Sequence, residues 1–153
     1  MKSLQLTVLI TFILLTATAC DTEDPVCCIN PSLVDPTAEC GNAAVIDDNL
    51  FQTAPDDALD IQDVRLEGNC LTITFAASGC DGATWEEALI GDTSILESLP
   101  VQRGLRLSIN NNEECDAVPS KTASFSLVPA VVEGETSVLI NLQGWNQQIL
   151  YEY

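Results

Sequence analysis

The chain has no histidine, and this absence removes several classes of enzyme. A Ser-His-Asp triad and a Cys-His pair both require an imidazole, and most catalytic zinc sites use histidine ligands. Non-haem iron and blue-copper sites depend on the same side chain. A mechanism with two carboxylates needs no histidine, but no part of the sequence indicates a domain that would build a cleft around them. We therefore expect a protein that is not an enzyme.

Positive charge is also scarce. The 5 Lys and Arg residues stand against 23 Asp and Glu, which gives a formal net charge of −18 at pH 7. Such a surface repels phosphate groups, so nucleic acid is excluded as a partner. Attachment to anionic lipids through basic residues is excluded for the same reason. Solubility in a salty setting, without any specific ligand, is the alternative explanation of the acidity.

The apolar run near the N-terminus, residues 4–15, is shorter than the roughly 20 apolar residues that a transmembrane helix needs. Lys2 precedes this run, and small residues follow it. A basic start, a short apolar stretch and small residues before a cleavage site are typical of a secretory signal peptide. We assign residues 1–19 to it.

The end of the signal, Ala17-Thr18-Ala19-Cys20, resembles the lipobox of bacterial lipoproteins. The resemblance implies lipidation of Cys20 by a diacylglycerol and a further acyl chain, such as palmitate, and several chains together anchor a protein stably. An ordinary secreted protein, with Cys20 in a disulfide, is the alternative. We divide the mature chain into a tether with Cys and Pro over residues 20–44 and a folded domain over residues 45–153.

The acidic stretch Asp21-Thr22-Glu23-Asp24 follows Cys20 directly. It resembles two different sorting signals. In enteric-type bacteria an Asp after the lipidated Cys accompanies retention at the inner membrane. In Bacteroidetes-type bacteria an acidic stretch accompanies export to the cell surface.

The cysteines after Cys20 are even in number, which in an exported chain indicates disulfides. They are Cys27, Cys28, Cys40, Cys70, Cys80 and Cys115. Without CxxC spacings, neither a metal–thiolate site nor a redox-active pair is indicated. We expect a bond between Cys80 and Cys115, with Cys70 bonded to one member of the Cys27–Cys28 doublet and Cys40 to the other.

Several segments alternate apolar and polar residues with a period of two, as half-buried antiparallel strands do. The predicted inward-facing sets are Leu71, Ile73 and Phe75; Leu105, Leu107 and Ile109; Ala123, Phe125 and Leu127; Val138, Ile140 and Leu142; and Ile149, Tyr151 and Tyr153. Turn residues separate these segments. About seven short strands predict an all-β fold, a single antiparallel β-sandwich of immunoglobulin-like size. Residues 92–99 are predicted as a short helix or a loop.

Two cysteine-containing segments, Glu67-Gly68-Asn69-Cys70-Leu71 and Ser78-Gly79-Cys80-Asp81-Gly82, look like parts of small uncharacterised lipoproteins of Bacteroidetes. Trp85 and the ending Ile149-Leu150-Tyr151-Glu152-Tyr153 extend the resemblance. It implies a cell-envelope protein at the outer membrane that faces the surface. No motif in it is tied to chemistry, so it carries no active site.

One acidic segment is the densest candidate for a cofactor. Asp81, Glu86 and Glu87 offer oxygen ligands for calcium, which takes six to eight of them. The EF-hand spacing is absent, and Glu86 and Glu87 would point in opposite directions on a strand. A plain acidic turn and strand, with no cofactor, is the alternative.

Two further clusters are rich in oxygen atoms. The first consists of Asp47, Asp48, Asp56, Asp57, Asp60 and Asp63, and the second of Asn110, Asn111, Asn112, Glu113, Glu114 and Asp116. The first is a weaker calcium candidate, and the second is interpreted as the polar end of a hairpin.

The two tryptophans are candidates for stacking on a sugar ring. Trp85 opens a predicted strand, so we expect it to pack in the core, as a buried aromatic does in many sandwiches. Trp145 follows Gly144 in a predicted turn, where exposure and burial are equally compatible with the sequence.

These observations lead to a lipid-anchored envelope protein with a non-enzymatic binding or structural role, whose partner is an envelope protein or a glycan. Two alternatives stay open. One is a small carboxylate- or calcium-dependent hydrolase, and the other is an inhibitor or partner of an envelope enzyme, for which the acidic surface favours a basic partner face.

Overall fold

The computed structural model describes residues 40–153 of the chain. The predicted signal peptide, the lipidation site Cys20 and the cysteines Cys27 and Cys28 lie outside these residues. Within the described part, no helix has the length and apolar character needed to cross a membrane.

Residues 40–153 form nine strands, one α-helix and one short 3₁₀ helix. In chain order they are β1 (Asn42–Ala43), β2 (Val45–Ile46), α1 (Asp48–Thr53), β3 (Leu59–Glu67), β4 (Cys70–Ala77), β5 (Glu86–Leu96), β6 (Val101–Asn110), β7 (Ser120–Ser126), the 3₁₀ helix (Val128–Ala130), β8 (Ser137–Leu142) and β9 (Ile149–Glu152). The strands form a four-stranded sheet, β1-β7-β4-β3, and a five-stranded sheet, β2-β5-β6-β8-β9. The two sheets pack together, which confirms the predicted all-β sandwich.

The sheets are mixed rather than purely antiparallel, which corrects the sequence prediction. β1 runs parallel to β7, β2 parallel to β5, and β6 parallel to β8. Between β6 and β8 the chain crosses to the other sheet, forms β7 there and returns. A parallel pair requires such a crossover connection, and a local residue pattern does not reveal it.

The core lies between the sheets and contains most of the predicted inward-facing side chains of both; Tyr153, predicted to face inward, is instead 41% exposed because β9 ends at Glu152. Leu71, Ile73 and Phe75 of β4 are fully buried, and so is Ile140 of β8. Tyr151 of β9 is 1% exposed, although it lies two residues from the end of the chain. Alternate residues therefore face inward, as the period-two pattern predicts.

The start of the described chain switches from one sheet to the other. β1 pairs with β7 in the four-stranded sheet, and β2 pairs with β5 in the five-stranded sheet. Between them the N–H of Ala44 donates to the carbonyl oxygen of Ser126 at 2.9 Å. Residues 40–44, which are predicted as part of the tether, thus contribute strand β1 and one cysteine of a disulfide to the folded part.

The two disulfides in the described part are Cys40–Cys70 and Cys80–Cys115. The second is the predicted pair. The first corrects the expectation that Cys70 and Cys40 each bond to one of Cys27 and Cys28. Because β1 brings the chain beside β7, and β7 pairs with β4, Cys40 comes within 5.1 Å (Cα–Cα) of Cys70 at the start of β4.

The segment predicted as a helix or loop, residues 92–99, instead continues β5 as far as Leu96. The pairing with β6 shifts between Gly91 and Ile95, and there Asp92 accepts the N–H of Ser94 at 2.7 Å. This local hydrogen bond is typical of turns. Pairing with β6 resumes beyond the shift, so the turn-like residues form a bulge inside a long strand.

Candidate functional site

The three carboxylates predicted as calcium ligands point to different partners. Asp81 accepts a backbone N–H two residues further along the chain at 2.9 Å. Glu86 accepts the side-chain N–H of Asn110 at 3.1 Å, and Glu87 pairs with Lys121 at 2.9 Å. Within residues 40–153, no group of three or more His, Cys, Asp or Glu side chains is arranged to hold a metal ion. The structure therefore does not bring the predicted ligands together.

The larger acidic cluster is also dispersed. Asp47 caps the N-terminus of α1 by accepting the N–H of Leu50 at 2.8 Å. Asp48 accepts the N–H of Thr93 at 2.8 Å and also its hydroxyl, and these hydrogen bonds lower the pKa of the Asp48 carboxyl. Asp63 pairs on β3 with its near neighbour Arg65 at 2.8 Å. Each of these three carboxylates has its own structural partner.

Glu113 has the most hydrogen bonds of any carboxylate in the described part. Its Oε2 accepts the backbone N–H groups of Cys80 at 2.5 Å, Asp81 at 3.2 Å and Gly82 at 3.1 Å, and its Oε1 accepts the Thr84 hydroxyl at 2.8 Å. Desolvation raises the pKa of Glu113, but the Thr84 hydroxyl and the backbone N–H groups outweigh it and lower this pKa from 4.5 to about 2. The carboxylate thus occupies a nest of donors that the β4–β5 loop provides.

Arg106 fixes α1 to the outer face of the five-stranded sheet. Its neighbours Leu105 and Leu107 face the core, so the Arg106 side chain points outward, yet it is only 6% exposed. The guanidinium group donates to four backbone carbonyl oxygens, those of Leu50, Phe51, Ala54 and Pro55, at 2.7–3.3 Å. It therefore binds carbonyl groups at and just beyond the C-terminal end of α1, where helical backbone partners run out; the Leu50 oxygen also accepts the N–H of Ala54. Arg106 occupies a polar position between Leu105 and Leu107, so the alternation predicts its outward direction but not that α1 covers it.

A groove lies between α1 and β5 on this outer face, with a cavity of about 250 Å³. Its lining is mostly apolar, with Glu86, Glu87, Ser108 and Asn110 among its polar residues; the apolar members are Val45, Leu50, Ala54, Pro55, Ala88 and Ile90. We call this the β5 groove. This volume is below the roughly 300–1,000 Å³ of pockets that enclose a drug-sized ligand. The groove is therefore better matched to a single side chain of a partner protein than to a small-molecule ligand.

An uncharged row of side chains crosses the far end of the same face. Leu96, Gln102, Leu139 and Leu150 are paired in register across β5, β6, β8 and β9. We call these four residues the leucine row. Leu96 is 62% exposed and Leu150 is 47% exposed. The sequence already indicates this row, because Leu139 and Leu150 occupy outward positions of β8 and β9 where the alternating pattern predicts polar residues.

A network of side-chain amides supports the leucine row. Gln102 accepts hydrogen bonds from Asn141 at 3.0 Å and from Gln148 at 3.1 Å. It donates in turn to the Ser98 hydroxyl at 3.0 Å. These bonds fix the polar member of the row in one orientation, so the row is a preformed surface.

Three of the four positive side chains in the described part are held by other groups of the domain and are largely withdrawn from solvent. Arg103 is 6% exposed and donates to the carbonyl oxygens of Ala130 and Asp92. Burial lowers the pKa of its guanidinium group, although Tyr153 and Asp92 act against this. Arg106 and Lys121 are held as described above. The outer surface is consequently even more acidic than the net charge indicates.

Trp85 is 4% exposed and stacks on Phe75 with 5.9 Å between ring centroids. This confirms its predicted place in the core and removes it as a sugar platform. Trp145 is partly buried and packs against the core. The described tryptophans therefore do not form an exposed aromatic face.

No family model and no curated protein matches this sequence. Two of the solved structures that match this chain come from Bacteroides species. A NigD-like immunity protein from Bacteroides caccae superimposes with a TM-score of 0.51 at 13% identity, over 71% of this chain and 58% of that protein. A protein of unknown function, DUF1344, from Bacteroides vulgatus gives a TM-score of 0.47 at 16% identity, over 72% of this chain and 55% of that protein.

The chain thus spans just over half the length of the two solved proteins. At these identities the comparison with the immunity protein shows a shared fold and nothing finer.

Proposed function

We propose that this protein is a lipid-anchored component of a bacterial cell envelope, at the outer membrane and facing outward, whose domain binds a partner protein. The lipobox-like Ala17-Thr18-Ala19-Cys20 supports the anchor. The Cys40–Cys70 and Cys80–Cys115 bonds support an oxidising compartment, because disulfides persist outside the cytosol.

The observation that carries the binding role is the leucine row. Single exposed apolar side chains are normal on a protein surface, but a contiguous exposed patch indicates an interaction site. Leu96 and Leu150 are 62% and 47% exposed, at the two ends of one row across the sheet. The row is uncharged although the chain carries a net charge of −18. The row combines leucine side chains with a hydrogen-bonded amide, Gln102, and protein interfaces likewise combine apolar contacts with hydrogen bonds.

The fold comparison supports a partner or inhibitor role. One solved structure of similar fold is a NigD-like immunity protein. The acidic surface then favours a partner with a basic face. A binding domain of this kind needs neither a metal nor a catalytic group.

In-cell photocrosslinking tests the binding role. A photoreactive amino acid replaces Leu150 in the row and, as a matched control, Arg65, whose side chain is 73% exposed on the other sheet. We expect a discrete protein adduct from position 150, lost when Leu96→Asp is added, and none from position 65. Equal adducts from both positions, or none from either, would contradict the binding role.

The anchor is tested separately with Cys20→Ser. We expect the wild-type protein in the membrane fraction with acyl chains on its N-terminal peptide by mass spectrometry, and the variant in the soluble fraction. Protease added to intact cells should remove the domain while a periplasmic control survives. Protection until the outer membrane is opened would contradict the outward orientation and leave the anchor intact.

A further inference from the structure

Strand β5 has an open edge at residues 86–89. One edge of β5 pairs with β6, and the other pairs with β2 only at Ile90 and Gly91. In residues 40–153, no strand pairs with this second edge before Ile90. The N–H of Asp47 donates to the carbonyl oxygen of Gly91 at 3.0 Å. Because backbone groups of alternate residues point to the same edge, Glu87 presents its N–H and C=O at the open edge.

The β5 groove adjoins the N-terminal end of β2, at Val45. Val45 is 41% exposed and is paired with Ile90, and both line the groove. Ala88 is the next residue of β5 that faces the same side. A strand that continued the line of β2 along β5 would therefore place a side chain over Ala88. The small Ala88 leaves room for that side chain.

The charges at this edge indicate which kind of chain segment can pair with β5. Glu86 is exposed at the mouth of the groove, and Glu87 is already paired with Lys121. A second copy of this chain would bring the same carboxylates to the edge, and like charges on adjacent strands repel. A segment with a Lys or Arg opposite Glu86 gains an attraction there instead.

We propose that the open edge of β5 binds an extended segment of a partner protein by strand addition, with an aliphatic side chain in the β5 groove and a Lys or Arg beside Glu86. Main-chain hydrogen bonds then supply affinity, and the alternate side chains supply specificity. This inference rests on the proposed binding role but concerns a surface other than the leucine row.

Fluorescence anisotropy with labelled peptides tests this inference on the full-length processed protein, purified from membranes in detergent. The first probe is a peptide of about eight residues in which valine and arginine alternate at every second position, with threonine between them, so that a valine and an arginine face the same side of the strand as Ala88 and Glu86. The second replaces arginine by glutamate. The third contains the same valines and arginines in two blocks, which keeps the charge and removes the alternation. We expect the alternating basic peptide to bind most tightly, and the acidic peptide not to bind.

Two variants locate the binding. Ala88→Leu fills the groove and should weaken binding of the alternating peptide by about tenfold or more. Glu86→Gln removes the exposed charge pair between Glu86 and an arginine of the peptide, and should weaken peptide binding by about threefold. Glu67→Gln, at an exposed glutamate on β3 of the other sheet, is the matched control and should leave peptide binding unchanged. Thermal unfolding of each variant shows that the fold is retained.

The outcomes separate this inference from the proposed function. Equal binding of the alternating and block peptides, or no effect of Ala88→Leu, would overturn strand addition at β5. If no peptide binds while the crosslinker at position 150 still captures a partner, the binding role stands and the inference about β5 is wrong.

Discussion

Glu113 accepts hydrogen bonds from both the backbone N–H and the hydroxyl group of Thr84, 29 residues earlier in the chain. The two loops that these residues belong to are also joined by Cys80–Cys115. One covalent bond and one anion nest thus fix the same end of the sandwich, and only the anion nest depends on pH.

Glu113→Gln tests this dependence. The pKa of Glu113 is lowered from 4.5 to about 2, so the carboxylate stabilises the fold fully above about pH 4.5 and progressively less as the pH falls towards 2. We expect the variant to unfold at a lower urea concentration than wild type near about pH 7, with a difference that shrinks in acid. Urea unfolding across this range measures it. Parallel pH profiles of the two proteins would contradict the anion nest.

Arg106→Lys should release the C-terminal end of α1 from the sheet. A lysine ammonium cannot reproduce a planar group that donates to four carbonyl oxygens. We expect a loss of about 3 kcal/mol in the free energy of unfolding. The control Arg65→Lys changes a side chain that is 73% exposed and should cost less than about 1 kcal/mol. Similar losses in both variants would show that α1 is not held by Arg106.

The two disulfides should differ in their access to reductants. Cys40 is 1% exposed, whereas Cys80 and Cys115 lie at the surface. We expect limited reduction and alkylation, followed by peptide mass mapping, to label Cys80 and Cys115 first. Unfolded protein is the control, since burial no longer distinguishes the bonds there. Earlier labelling of Cys40 in the folded protein would contradict its burial.

Tyr151 should be the most sensitive position of the last strand. It is 1% exposed, and its hydroxyl donates to Asn69 at 2.9 Å. We expect Tyr151→Ala to cost about 3–5 kcal/mol, by analogy with other aromatic truncations, and Tyr151→Phe about 1 kcal/mol. Deletion of residues 149–153 should prevent folding. A truncated protein that melts like the intact one would contradict the pairing of β9 with β8.

Calcium should not change the stability of the folded domain. Asp81, Glu86 and Glu87 each have a separate partner in the structure, and a ligand stabilises a protein only when it binds the folded state preferentially. We expect the same melting temperature with calcium and with a chelator. A rise with calcium that Glu86→Gln abolishes would restore the predicted site.

The sequence predicts most strands of this fold because the period-two pattern is local. The positions of Leu71, Ile73 and Phe75 follow from this pattern alone, since neighbouring residues of a strand face opposite sides. Strand direction does not follow from it. The parallel pairing of β6 with β8 depends on where the chain goes in between, and that is a property of the whole topology.

The candidate surfaces were harder to predict for the same reason. Acidic clusters are visible in the sequence, but whether Asp47, Asp48 and Asp63 share a ligand depends on distant neighbours such as Thr93. Arg106 looks like an exposed residue until α1 covers it. Leu139 and Leu150 become a row only when β8 and β9 pair in register.

The Cys40–Cys70 bond also determines how the domain responds to force. Tension on the chain before Cys40 would otherwise peel away β1 and β2, which have two residues each. The disulfide passes that load directly to β4, which pairs with β3 on one side and β7 on the other. β4 is paired along both of its edges, so its separation requires breaking the hydrogen bonds to β3 and to β7. Force applied to the chain before Cys40 is therefore transmitted to a strand that is paired on both sides.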